Sequence, residues 1–463
     1  MKTHATVIFM LSLCLTAGLF AAEWVTYTAS NSGLASNTVR AVVIDANGNK
    51  WFGTDAGLSG FDGTDWQTYA QEDVKQTLAD NVINDIAFEI TSYGPELWIA
   101  TDNGVSVFAI PSIDAVTQAT PYRTDNTGLM NNKVTSAAVD TLRHERWFGT
   151  PTGVSRFNGS EWRNFDRESD PPLAWDNVTD IGVDPFGGWK YIATINGQEN
   201  ERNGVSRLRT SADDVDAITA PSPYSEEWSG LLSPNVLCVF VDDDGTQWFG
   251  TDEGFVFHDT TETKAGWDYF TTVEGLIDDT VYAITKTSEQ VAWIGTQNGL
   301  ARFEYSLGQF GIETYKFTNY TTGDGLAGST VYDLALEPDG SLWVATDNGV
   351  SHYNPSTRVA DLDSETPTSF GLVKNYPNPF NPSTTITYSL ASNAHVELYV
   401  VNMKGERIHG LVNTTQTQGL HTATWTGMLS TGEPAPTGIY LAHLVVQTEQ
   451  QQIRDSIKML LVK

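Results

Sequence analysis

Cysteine is nearly absent from this 463-residue chain, which carries only Cys14 and Cys238. Removal of the apolar start would leave Cys238 alone, so no internal disulfide is expected and packing must hold the fold. Cys238 sits in the apolar run "VLCVFV" with no histidine placed beside it, and reads as a small buried hydrophobe. Basic residues are scarce too. Lys and Arg number 26 against 57 Asp and Glu, a net charge of −31 that would repel phosphate backbones and anionic lipid. No nucleic-acid or membrane-surface partner is expected. Beyond residue 22 no apolar run approaches the ~20 residues that cross a bilayer, so no transmembrane segment is expected. Also missing are H-E-x-x-H, G-x-S-x-G and P-loop patterns, and no catalytic residue is assigned.

What is present begins with an export signal. Lys2 precedes an apolar run, and Ala21 and Ala22 close it, which reads as a signal peptide over residues 1–22. Glycine-rich phrases then recur: "WFGTDAGLSGFDG" from residue 51, "WFGTPTGVSRFNG" from 147, "WVATDNGVSHYN" from 343. Trp51, Trp98, Trp147, Tyr191, Trp248, Trp293 and Trp343 anchor the repeat at spacings of 44 to 57 residues. That period suits propeller blades of four short antiparallel strands, with glycine and asparagine supplying tight hairpins. Outer strands are expected at "WQTY", "TPYR", "WRNF", a loose "SEEW", "WDYF" and "FTNY", and the last blade has none of its own. "WVTY", Trp24 to Tyr27, is expected to complete it and close the ring. The fold class expected is all-β: a seven-bladed β-propeller over 23–355, followed by a small immunoglobulin-like β-sandwich.

The pattern GL-x-x-N-x-V, D-x-G-x-x-W-F-G-T-x-x-G-L resembles the two-component regulator propeller repeat, and a fainter similarity runs to propellers of the streptogramin lyase type. The first resemblance implies an extracellular sensor of carbohydrates, usually attached to a histidine kinase. No kinase region is found in this chain, so a binding role is expected.

Residues 356–374 lose the repeat and gain Pro, Ser, Thr and Asp, and read as a linker. From 375 to 463 alternating strands follow "NYPNPFNPSTTITYSL". Asn375, Tyr376, Pro377, Asn378, Pro379, Phe380, Gly438, Tyr440 and Lys463 match the type A sorting domain of type IX secretion, similar to the immunoglobulin-like flagellar hook-capping family. The resemblance implies the type IX machinery as a partner, passage through the periplasm in a Bacteroidetes-like bacterium, and release or attachment at the outer surface.

Candidate sites lie where the repeat is broken. Blade 4 carries the long turn "INGQENERNG" with Glu199, Glu201 and Arg202, and Trp175 in the loop before its inner strand. Trp175 either stacks on a sugar ring or packs beneath the long turn. A second set follows the first Val or Ile of the inner strands: Arg40, Asn84, Tyr282 and Tyr332, with Asp85, Asp180 and Asp333. The three acids either hold a cation, Ca²⁺ being the one considered, or bond to neighbouring strands and water. The Asn and Asp residues repeated in loops on the same face are expected to cap their own backbone. "DDDGTQ" (242–247) reads as a hairpin turn and not as a calcium loop. The function expected is binding, plausible for glycans, outside the cell. Two alternatives stand beside it: an extracellular lyase or hydrolase, and a structural adhesin.

Overall fold

The computed structural model describes residues 24–461 apart from 72–77, 119–120, 185–186, 196–203, 211–217, 220–229, 243, 260–265, 288–289, 309–310, 356–369, 377, 379 and 449–451. The proposed signal peptide and Lys463 lie outside the described residues, as do Glu199, Glu201, Arg202, Pro377 and Pro379. The elements are all strands, and no described helix is long and apolar enough to cross a membrane.

Seven four-stranded antiparallel sheets account for residues 24–353. Their inner strands are Val39–Ile44, Ile83–Thr91, Ser136–Asp140, Val178–Val183, Val236–Val241, Val281–Lys286 and Val331–Leu336, which define blades 1 to 7. Each inner strand neighbours the next, and the seventh returns to the first, so the sheets form a closed ring. Trp24–Tyr27 closes it as expected, pairing antiparallel with Gly349–Tyr353 from Trp24 opposite Tyr353 to Tyr27 opposite Val350.

The repeated phrase is explained by packing. Trp51, Trp147, Trp248, Trp293 and Trp343 are buried, each in an apolar layer between sheets: Trp51 meets Leu97, Ile99 and Phe108 of blade 2. Two residues after Trp51, a Cβ on Gly53 would lie 2.5 Å from Ile83 Cγ2 in the next blade. Only a very small side chain fits there; Ala100, Ala193 and Ala345 stand at the matching sites of blades 2, 4 and 7. Gly57 turns the chain with φ +128°, and a Cβ would strike Tyr69 O at 2.3 Å.

Two outer strands differ from expectation. In blade 2 the strand is Thr117–Gln118, and "TPYR" contributes a single bridge from Tyr122 to Val105. Pro121 has no N–H to extend the ladder. In blade 4 the strand is Ile218–Thr219, while "SEEW" lies outside the described residues.

The C-terminal domain packs a three-stranded sheet (Gly371–Tyr376, Thr384–Leu390, Gly419–Trp425) with a four-stranded one (Arg407–Gln416, Ala394–Asn402, Gly438–Gln447, Gln452–Leu461) around Phe380, Trp425, Tyr440 and Leu444. Its first strand begins at Gly371, inside the stretch read as linker. Pro, Ser and Thr upstream mask an apolar start, Phe370 and Leu372, that packs on this core.

Candidate functional site

Six of the seven inner strands carry a bulge at one place. Pairing with the second strand skips from Val39 to Ala41, Ile83 to Asp85, Val178 to Asp180, Val236 to Cys238, Val281 to Ala283 and Val331 to Asp333. The residue passed over has no ladder partner, and a bulge re-aims its side chain. Arg40, Asn84, Thr179, Leu237, Tyr282 and Tyr332, joined by Thr135 of blade 3, all line one cavity of 350 Å³. Every blade thus contributes one residue. Asp85, Asp180, Asp333 and Lys133 complete the wall.

Sequence reasoning found Arg40, Asn84, Tyr282, Tyr332 and the three acids, and the structure brings them together. It missed Thr135, Thr179, Leu237 and Lys133. The signal for the first three is their place after the leading Val of each repeat, where Thr and Leu carry no distinctive chemistry.

Each of the three acids accepts two backbone N–H groups. Asp85 Oδ1 accepts from Ile86 N at 2.7 Å and Oδ2 from Ala137 N in blade 3 at 2.8 Å. Asp180 repeats this with Ile181 N and with Val239 N of blade 5, both at 2.7 Å. Asp333 accepts from Leu334 N at 2.8 Å and from Val42 N of blade 1 at 2.7 Å. Each carboxylate staples its own blade to the next. Among the described residues no group of three or more His, Cys, Asp or Glu is placed to hold a metal ion. Of the two readings of these acids, hydrogen bonding to neighbouring strands is the one these contacts match.

Their surroundings alter their acidity. Burial, then the charge of Asp180, pushes Asp85 up to about 7. Burial raises Asp180, and burial with the charge of Asp85 holds Asp333 well above the usual carboxylate range. Cys238 occupies the same strand position in blade 5, where burial pushes its thiol well up and its Sγ lies 3.9 Å from Val281 O. It is a buried hydrophobe, as expected.

The repeated loop residues are scaffold. Asn37, Asn81, Asn132, Asp176 and Asp279 accept from the backbone N–H of Ala29, Gln71, Thr124, Arg167 and Thr272 at 2.6 to 2.8 Å. In all seven blades it is the threonine of the phrase, Thr54 through Thr346, whose hydroxyl bonds the glycine carbonyl that closes the turn. In "DDDGTQ", Asp242 N donates to Thr246 O at 2.9 Å across a hairpin.

Trp175 does not line the cavity. It is half-buried in the loop before blade 4, with the Arg167 guanidinium over its ring at 4.0 Å. Arg167 is the partner the sequence did not reveal.

In the C-terminal domain the motif residues have structural tasks. Asn375 Nδ2 donates to Thr384 Oγ1 at 3.2 Å. Asn378 clamps the last strand, accepting from Leu460 N at 2.7 Å and donating to Lys458 O at 3.0 Å. Phe380 is buried against Trp425 with ring centroids 5.4 Å apart, and Tyr440 meets Trp425 edge to face at 5.0 Å, its hydroxyl donating to Pro436 O at 2.6 Å. Gly438 opens its strand with φ +155°.

Comparison with curated protein sequences finds no match. Residues 381–450 match the FlgD Ig-like domain family. Among solved structures, the extracellular domain of a hybrid two-component system from B. thetaiotaomicron superposes with a TM-score of 0.56 at 17% identity, covering 95% of this chain and 57% of that one. PorZ, a surface component of the type IX secretion system of Porphyromonas gingivalis, superposes with a TM-score of 0.54 at 16% identity, covering 95% and 61%. The chain therefore spans less than two thirds of either neighbour. A streptogramin B lyase aligns over 72% of this chain and 97% of its own at 13% identity, with a TM-score of 0.50. At such identities the likeness is one of fold: an all-β chain with a propeller and a C-terminal Ig-like domain.

Proposed function

We propose that the chain is a secreted or cell-surface binding protein, exported by the type IX route through its C-terminal domain, whose propeller recognises a glycan in the channel at its axis. One observation carries this reading. A cavity of 350 Å³, within the range of small-ligand sites, gathers one side chain from each blade, of five kinds among the seven, while the framework around it repeats. The Tyr282 and Tyr332 hydroxyls and the Arg40 guanidinium suit sugar hydroxyls. The Tyr282 and Tyr332 rings, 6.0 Å apart and tilted by 51°, offer an aromatic wall. Trp175 under Arg167 is a rim contact in this reading.

Binding is favoured over catalysis because each acid already accepts two backbone N–H groups and the lone described thiol is buried. Structural likeness to an extracellular domain and a surface component supports a location outside the cytoplasm. Screening the full chain on a glycan array tests the proposal. Binding to one glycan class is expected, weakened about tenfold by Tyr332→Ala and less by Trp175→Ala. No binding to any class, or binding indifferent to both substitutions, overturns it.

A further inference from the structure

The hydrogen-bonding groups of the channel wall fall into two arcs. On blades 2 to 4 the donors are taken up by the scaffold. Asn84 Nδ2 donates to Asp102 Oδ1 and to Val134 O, both at 2.9 Å. Thr135 Oγ1 donates to Val178 O at 2.7 Å, and Thr179 Oγ1 to Val236 O at 2.6 Å. Consecutive blades 6, 7 and 1 present Tyr282, Tyr332 and Arg40 instead. Arg40 forms no ion pair with a described residue, and its Nε is a buried donor without a partner. A buried guanidinium donor left unmatched is costly, and this one differs from the other such atoms in lining the cavity.

What stands ready in the channel is therefore a cluster of donors on one arc. A planar guanidinium fork beside two phenols matches the planar, bidentate acceptor geometry of a carboxylate, whereas a neutral sugar hydroxyl would satisfy one donor at a time. The geometry points to Arg40, with Tyr332 and then Tyr282 following it on one side of the ring, as the seat of a ligand carboxylate, so that the channel takes acidic sugars in preference to neutral ones. This rests on the channel being the sugar site.

The three acids of the wall do not bar an anion. Their oxygens face backbone donors, and burial moves all three toward the neutral form. Lys133 at the wall is held only loosely, its Nζ 3.9 Å from Asp102 Oδ1, and adds a cation to the same cavity.

Isothermal titration calorimetry of the full chain with glucuronate and with glucose is the test. Glucuronate is expected to bind at least about tenfold more tightly than glucose, the size of one charge-assisted hydrogen-bonded contact. Arg40→Gln should remove most of that preference, the loss falling mainly on glucuronate with a smaller loss for glucose, and Arg40→Lys should restore part of it. No hydrogen bond or ion pair from the Arg40 guanidinium to a described residue would be lost, so both variants should melt at or above the wild-type temperature. Equal affinity for the two sugars in the wild type, or a preference that survives Arg40→Gln, overturns the carboxylate seat and leaves the channel as a sugar site. Absence of binding by either sugar overturns both readings together.

Discussion

Asp85, Asp180 and Asp333 each join two blades with a single side chain, and their proton equilibria follow from that task. Asp85 lies at about 7 in the fold against roughly 3.9 in an unfolded chain. Between those values the folded state keeps a proton that the unfolded state has released. The associated stability is present below pH ~4 and is lost as pH rises to about 7. Urea unfolding at pH 5 and pH 8 should show the wild type more stable at pH 5, by an amount on the order of a few kcal/mol. The net charge of −31 works in the same direction, so the control is Asp85→Asn. That variant should be weaker at both pH values, because its amide sets N–H against the N–H of Ile86 or Ala137. It should also lose part of the pH dependence. A slope identical to wild type would show that Asp85 does not titrate in this window.

At the scale of strands, the repeat dictates most of the architecture and conceals part of the site. Trp51, Gly53 and Gly57 can be read from the phrase itself, because each is demanded by packing or a turn that recurs in every blade. The closing strand was legible because the seventh blade visibly lacked a fourth. The bulge was not, since one unpaired residue leaves no mark in a run such as "VTDIGV"; only the paired structure shows Thr179 passed over. Nor did the sequence show that Asp85, Asp180 and Asp333 reach the following blade, a contact between residues as far apart as Val42 and Asp333. Buried charge was equally hidden. Lys190 is fully enclosed between Asp140 at 2.6 Å and Glu145 at 2.8 Å, where nothing in "WKYIAT" announces an ion pair. The closing strand makes its own prediction. Trp24 packs on Tyr320 and Tyr353 with ring centroids 5.4 and 5.0 Å away. Trp24→Ala should cost about 3–5 kcal/mol in denaturant unfolding, as for a large core truncation. A cost below about 1 kcal/mol would mean that the ring does not depend on its clasp.

On the whole molecule, the apolar core is divided. One cluster contains only residues from Phe370 to Leu461, and the others contain only residues from Trp24 to Tyr353. Each body completes its own sheets: the ring closes through its first and seventh blades, and the Ig-like domain is clamped by Asn378 on its last strand. Stability of the propeller should therefore not rest on the C-terminal domain, whereas the proposed export should. A chain ending at residue 355 separates the two roles. Calorimetry should resolve two transitions for the full chain and, for the shortened one, the propeller transition alone at an unchanged midpoint. In the native host the shortened chain should accumulate in the periplasm, folded and resistant to proteolysis. Unchanged arrival at the outer surface would remove the export role from the Ig-like domain. A lowered propeller midpoint would instead show that the two bodies share stability, and retention could then reflect misfolding; the pair of measurements keeps these outcomes apart because it reads folding and export independently.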